Sequence, residues 1–283
     1  MAPELRWGER TYLMGIVNIT PDSFSGDGLA VDGRSPAEVV EAAVAQGRAM
    51  VDAGADIIDV GAESTRPRVA YGEHAAVDAA TEAALAVPVV RALASELGDR
   101  ALISIDTSKG SVAVAALEAG ATIVNDVWAA RRDPGTADAA AAASAHLILM
   151  HNQEGSEYPD GVYESVVRWL RKAVEAAIAR GVAREHLIVD PGIGFGKATQ
   201  ENLELLHRLA DLKVELGGLP VLIGTSRKRF LGELLDGAGP EDRLEGTAAT
   251  VALAIAAGAD VVRVHDVAAI ARTLRVSDAV VRR

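Results

Sequence analysis

The chain has 283 residues, 49% of them hydrophobic and none of them cysteine, with a formal net charge of −12. A large core is available, whereas disulfides, thiolate metal sites and a cysteine nucleophile are excluded. The acidic balance argues against nucleic acid or an anionic membrane as partner, so an anionic substrate must be held by a local cluster of base.

The start Met1-Ala2-Pro3-Glu4-Leu5-Arg6 places an acid and a base where a secretion signal needs apolar residues. Along the chain, short β-branched runs alternate with longer Ala-rich amphipathic runs. Strands are expected at 13–18, 57–60, 102–106, 123–126, 147–150, 187–190, 221–224 and 261–264, with helical patterns between them, among them 36–52, 108–119, 163–179 and 247–257. Ser35-Pro36 reads as a helix start, and Gly54, Gly120 and Gly258 read as helix stops. A weak internal repeat supports the alternation. Ala53-Gly54-Ala55-Asp56, Ala119-Gly120-Ala121-Thr122 and Ala257-Gly258-Ala259-Asp260 each precede an apolar run that ends in a polar residue. The Ala-rich stretch 137–145 reads as a plain surface helix. No apolar run approaches the ~20 residues of a membrane span, and these features together predict a cytoplasmic protein. Eight strand–helix units suit a single-domain (β/α)₈ TIM barrel, typically about 250 residues, with its core over about 12–280. A doubly wound open sheet is the alternative that the alternation also permits.

In such a barrel the chemistry lies where the strands end. Those ends are polar here: Asn18, Asp59, Asp106, Asn125 with Asp126, His151, Asp190, Ser226-Arg227-Lys228, and Arg263 with His265. Asp106 and Asp190 can each accept two parallel donors from a flat heterocycle, and Asn125 offers a donor and an acceptor. Capping of the helix after Asp106 is the competing reading for that residue. The base of Ser226-Arg227-Lys228-Arg229 and of Arg263 with His265 falls after strands seven and eight, where such barrels bind phosphate. His151 and His265 also read as ordinary buried histidines. Asp190-Pro191-Gly192-Ile193-Gly194-Phe195-Gly196-Lys197 fails as a P-loop, because Ala198 stands where Ser or Thr must hold magnesium. It reads instead as a tight loop beside a flat ring, with Phe195 able to stack. The run from Thr20 to Gly28 reads as a mobile loop after the first strand.

These segments resemble the dihydropteroate synthase family. The matching pieces are Gly15-Ile16-Val17-Asn18-Ile19-Thr20-Pro21-Asp22-Ser23-Phe24-Ser25, Glu63-Ser64-Thr65-Arg66-Pro67, Ser104-Ile105-Asp106-Thr107, Asn125-Asp126-Val127, Leu149-Met150-His151, the glycine-rich loop, Ser226-Arg227-Lys228 and Arg263-Val264-His265-Asp266-Val267. They run in family order from about residue 12 to 267. The resemblance implies a (β/α)₈ homodimer that condenses 6-hydroxymethyl-7,8-dihydropterin diphosphate with p-aminobenzoate, a transferase of folate biosynthesis and the target of sulfonamides. By position, Asp106, Asn125, Asp190, Lys228 and Phe195 would hold the pterin. Asn18, Thr65, Arg263 and His265 would surround the diphosphate, with Asn18 contacting its Mg²⁺. Phe24, Pro67, Phe195, Arg227, Lys228 and Arg229 would form the p-aminobenzoate pocket. Asp106, Lys228, Arg263 and His265 would carry the chemistry. Two places depart from the family pattern: Gly26-Asp27 in the first loop, and Arg68 after Pro67 in the second. A pterin-binding methyltransferase domain and a silent paralogue that binds pterin or a partner protein are the other readings. The base at the last two strand ends speaks against the first.

Overall fold

The structure, a computed structural model, describes residues 4–20, 28–29, 34–63, 77–153 and 155–282. Its strands are β1 (Tyr12–Asn18), β2 (Ile57–Gly61), β3 (Leu102–Asp106), β4 (Ile123–Asp126), β5 (His146–Met150), β6 (Leu187–Asp190), β7 (Leu222–Ile223) and β8 (Val261–Val264). The helices are α1 (Pro36–Asp52), α2 (Ala79–Leu97), α3 (Gly110–Glu118), α4 (Gly135–Ala143), α5 (Val162–Ala179), α6 (Thr199–His207), α7 (Leu209–Glu215), α8 (Arg229–Leu234), α9 (Leu244–Ala256) and α10 (Val267–Val281).

Every strand pair is parallel, and β1 lies between β2 and β8. An isolated parallel bridge between Val189 and Val221 joins β6 to β7. The sheet therefore closes on itself in sequence order. This excludes the doubly wound alternative, whose strand order reverses at a switch point.

The three repeated segments fold alike. Gly54, Gly120 and Gly258 all take positive φ (113°, 113° and 95°). After each, the next N–H closes back on the helix: Ala55 to Met50 O, Ala121 to Ala116 O, Ala259 to Ala254 O. This is the Schellman closure that glycine makes cheap. In two copies the following aspartate accepts the free N–H of the neighbouring strand: Asp56 from Leu13 and Asp260 from Val221, both at 2.9 Å. The Asp260 contact and the preceding Pro220 shorten β7, so it spans two residues where four are expected.

At the other end of α1, Ser35 accepts from Glu38 N and Glu38 accepts from Ser35 N, a reciprocal cap with proline at the first position. The helix after β3 begins two residues later than its pattern predicts. Its N-terminal N–H, that of Gly110, donates to Asp133 at 2.6 Å, and the same carboxylate accepts Gly135 N at 2.9 Å at the start of α4. Asp106 is therefore not needed as a cap. The Ala-rich helix α4 is only half a surface helix. Thr136, Ala137, Ala139 and Ala140 are buried, and a Cβ on Gly110 would meet the backbone of Gly135 at 2.7 Å.

Side chains alternate across each strand. The inward set Tyr12, Met14, Ile57, Leu102, Ile123, Ile148, Ile188, Leu222 and Val261 forms an apolar barrel floor, separate from the larger core between sheet and helices. Two residues further along, the inward positions become Asp59, Ser104, Asn125, Met150, Asp190, Gly224 and Arg263. One step of the pleat thus changes a hydrophobic plug into a polar chamber.

Candidate active site

The polar chamber opens at the carboxyl ends of the strands. Its cavity is lined by Ile16, Asp106, Asn125, Val127, Met150, Asp190, Phe195, Gly224, Ser226, Lys228, Arg263 and His265. Only about 50 Å³ of it is free, against roughly 300–1,000 Å³ for a typical small-molecule pocket. Its own cations fill it. Arg263 donates from Nε to Asp59 at 2.6 Å and from its terminal nitrogen to Asp106 at 2.9 Å. Lys228 donates to Ile193 O and lies 4.3 Å from the centre of the Phe195 ring. A larger cleft of about 540 Å³ sits at the opposite mouth, beside Trp7, His146 and His186. It lies beside the amino-terminal ends of the strands, away from the convergent polar side chains, and we do not read it as the reaction site.

The chamber's acceptors are buried and partly unspent. Asp106 Oδ1 has no hydrogen-bond partner among the described residues. Burial raises the pKa of Asp106; Arg263 opposes the rise and the charge of Asp59 adds to it. Asp190 is likewise raised by burial, against the pull of Lys228 and the N–H of Gly192, which donates to Oδ1 at 2.7 Å. Burial works against the charge of Arg263, yet Asp59 and Asp106 hold its pKa above the ordinary value. Asn125 donates from Nδ2 to Asp59 at 3.1 Å. A carboxylate can only accept, so the amide oxygen is the end of Asn125 left for the cavity. At the rim, Ser226 Oγ accepts from His265 N at 3.1 Å and lies 3.0 Å from its Nδ1.

The glycine-rich loop is tied from behind. Lys197, buried, donates to Gly192 O at 2.9 Å and Phe195 O at 3.0 Å, and its Nζ lies 3.0 Å from His151 Nδ1. With Lys197 charged, its three donors meet three acceptors, and His151 is then neutral with its proton on Nε2. Burial lowers Lys197 to about 7, and burial with the nearby Lys197 charge lowers His151 to about 2. A Cβ on Gly192 would lie 2.0 Å from His151 O, and one on Gly194 would lie 2.5 Å from Lys228 Cδ. These glycines are required by the protein's own contacts, before any ligand is considered.

The family pattern of pterin binding enzymes matches residues 14–265. A dihydropteroate synthase of Bacillus subtilis (strain 168) is 42% identical over 280 residues, covering 99% of this chain and 92% of the relative. The chain belongs to the dihydropteroate synthase family. Among solved structures, a family member from Clostridium difficile, determined in the presence of pteroic acid, superposes with a TM-score of 0.88 at 44% identity, over 98% of this chain and 99% of that one. The Xanthomonas albilineans enzyme with 4-aminobenzoic acid gives 0.86 at 41% identity, over 96% and 94%.

Of the site residues expected from the sequence, Asp106, Asn125, Asp190, Phe195, Lys228, Arg263 and His265 come together around one cavity. Asn18 stands half-exposed at the end of β1, beside Gly61 and outside that lining. Phe24, Thr65 and Pro67 lie outside the described residues. Arg227 turns from the cavity: it forks onto Asp266 at 3.0 and 2.6 Å and reaches Glu241 at 2.6 Å. Arg229 is exposed and pairs with Glu233. Asp126 also turns away, accepting from Trp128 N, Ala130 N and Thr136 Oγ1, so it braces the turn after β4. His151 is a buried histidine outside the lining. Two residues were missed. Asp59 showed only as a polar strand end, and Lys197 only as the last letter of a failed P-loop.

Proposed function

We propose that the chain, acting as one barrel unit over about 12–280, condenses 6-hydroxymethyl-7,8-dihydropterin diphosphate with p-aminobenzoate, releasing 7,8-dihydropteroate and diphosphate. The observation that carries this is the meeting of Asp106, Asn125 and Asp190 with Lys228, Arg263 and His265 at the strand ends of one cavity. Asp190 takes the ring N–H and the exocyclic amine, Asn125 accepts through its amide oxygen, and Phe195 with Lys228 covers the ring. His265 and Arg263 face the diphosphate together with Thr65 and Asn18. The carboxylate of p-aminobenzoate meets the start of α8 near Arg229, with Arg227 bracing the turn and Phe24 and Pro67 supplied by the two loops.

The reaction read from this arrangement is loss of diphosphate before the arylamine attacks. The dihydropterin spreads a methylene cation into its ring, and Asp106 stabilises that charge. The arylamine attacks as the neutral amine, so positioning and electrostatics replace a strong base. Among the described residues no group of three or more His, Asp or Glu could hold a metal. The single amide oxygen of Asn18 suits a Mg²⁺ that keeps its waters and arrives on substrate phosphates. Such an ion, when bound, offsets charge growing on the leaving group.

We place the enzyme in the cytoplasm, a reading supported by the absence of cysteine; no helix among the described residues is long and apolar enough to cross a membrane. A homodimer is supported by Val214, Leu253, Val276 and Val280, exposed on α7, α9 and α10. Equilibrium sedimentation at micromolar concentration should give twice the chain mass. For the activity, the purified chain with both substrates and Mg²⁺ should release one diphosphate per dihydropteroate. His265→Ala should lower turnover while leaving affinity for the free ring nearly unchanged. Arg263→Ala should harm both, because it leaves Asp59 and Asp106 buried without their cation. Diphosphate release without a new pterin–arylamine bond would overturn the reading.

A further inference from the structure

Asp59 lies one inward layer below Asp106 and is fully buried. It does not line the cavity, yet one of its oxygens, Oδ2, accepts from two residues that do: Arg263 Nε at 2.6 Å and Asn125 Nδ2 at 3.1 Å. Two consequences follow from that one atom. The amide of Asn125 cannot turn over, because its oxygen would then oppose a carboxylate oxygen. And Arg263 is held at its inner nitrogen from below, while its outer nitrogen bonds Asp106 at the cavity wall.

With about 50 Å³ free, a bicyclic ring cannot enter unless something yields. Arg263 retains 23% side-chain exposure and Asp106 8%, whereas Asp59 has none. The outer bond is the one within reach of a ligand. Displacing it frees Asp106 for the ring and leaves Arg263 pivoted on Asp59. We infer that Asp59 is a positioning residue for ring recognition: it fixes the Asn125 oxygen toward the ligand and anchors Arg263 while Asp106 changes partner. This rests on the proposed pterin substrate.

The experiment is a titration of the free ring, 6-hydroxymethylpterin, into the full-length chain, Asp59→Asn, Asp59→Ala, Asn125→Ala and the double variant Asp59→Ala/Asn125→Ala, with thermal melts alongside. Asp59→Ala should weaken the ring roughly tenfold or more, and the isosteric Asp59→Asn, which keeps an oxygen for Asn125, should recover part of the loss. In the Asp59→Ala background, Asn125→Ala should cost little more, since the amide is no longer oriented. A residue with a merely structural role would give additive losses, and additivity would overturn the inference. A second readout needs no variant. In the unmodified chain the Asn125 amide protons, bonded to Asp59, should stay protected from exchange when the ring binds; loss of protection on binding would also overturn it. Should the unmodified chain fail to bind the ring, the pterin reading falls and this inference with it. Binding with an additive cycle sinks the role of Asp59 alone.

Discussion

At the scale of single residues, function here depends on which polar atoms remain unspent. Asp190 gives one oxygen to Gly192 N at 2.7 Å and sits at the cavity wall. Asp190→Ala should cost roughly 2–4 kcal/mol of pterin affinity, the size expected when a buried pair of donors loses its charged acceptor. Calorimetry with the ring alone checks it, and unchanged affinity would remove Asp190 from the ring site. Lys197 behaves differently because its three donors are all used within the protein. Lys197→Met would leave Phe195 O and His151 Nδ1 without this donor, while Gly192 O keeps Phe195 N at 3.1 Å, so it should lower stability by about 1–3 kcal/mol, read as a lower denaturation midpoint. Much of the chamber was legible in the sequence, because strand ends are where a barrel displays side chains, and Asp106, Asn125, Asp190 and Arg263 all stand there. What escaped were the inner partners. No spacing indicates that Asp59 and Arg263, 204 residues apart, share a hydrogen bond, or that a lysine following a glycine loop points inward.

At the scale of elements, the strands were the easier part. Their apolar runs are short and bounded, and six of the expected ends coincide with those found, at Asn18, Asp106, Asp126, Met150, Asp190 and Val264. The repeated Ala-Gly-Ala motif was readable because glycine after a helix has one cheap local use, and all three copies close the same way. The helix starts that depend on distant caps were not. Asp133 serves the first turns of both α3 and α4, and nothing in residues 106–110 announces it. Asp133→Ala should therefore cost about 2 kcal/mol of stability, one cap on each helix at the usual value, with ring affinity at low temperature unchanged. If the melting point did not move, the two N–H groups must find equivalent partners in water.

At the scale of the whole molecule, the response to acid gathers several buried groups whose effects differ in sign. His151, buried, and His146, half-buried, are neutral, lowered by the loss of solvent to about 2 and about 4. Below the ordinary histidine pKa near 6.5 the unfolded chain binds protons that the folded chain refuses. Each histidine thus contributes stability that is complete above about pH 6.5 and is lost as pH falls toward its folded value. Asp126 acts the other way. Burial raises it to about 6, so between its ordinary value near 4 and about pH 6 the folded chain holds a proton that the unfolded chain has released. There, stability falls as pH rises. The net curve between pH 4.5 and 6.5 is a difference, and its slope alone identifies no residue. Comparison of variants does. His151→Asn keeps an acceptor near Lys197 and removes the titrating ring. It should be less stable than the unmodified chain at pH 7.5, because it leaves a void beside Trp169, whose ring centre lies 5.0 Å from that of His151. On acidification it should lose less: the proton uptake on unfolding near pH 5, obtained from the slope of unfolding free energy against pH, should drop by close to one proton. The same uptake in both proteins would mean that His151 is protonated in the folded state. The Lys197–His151 contact could not then be the neutral acceptor that ties the glycine loop.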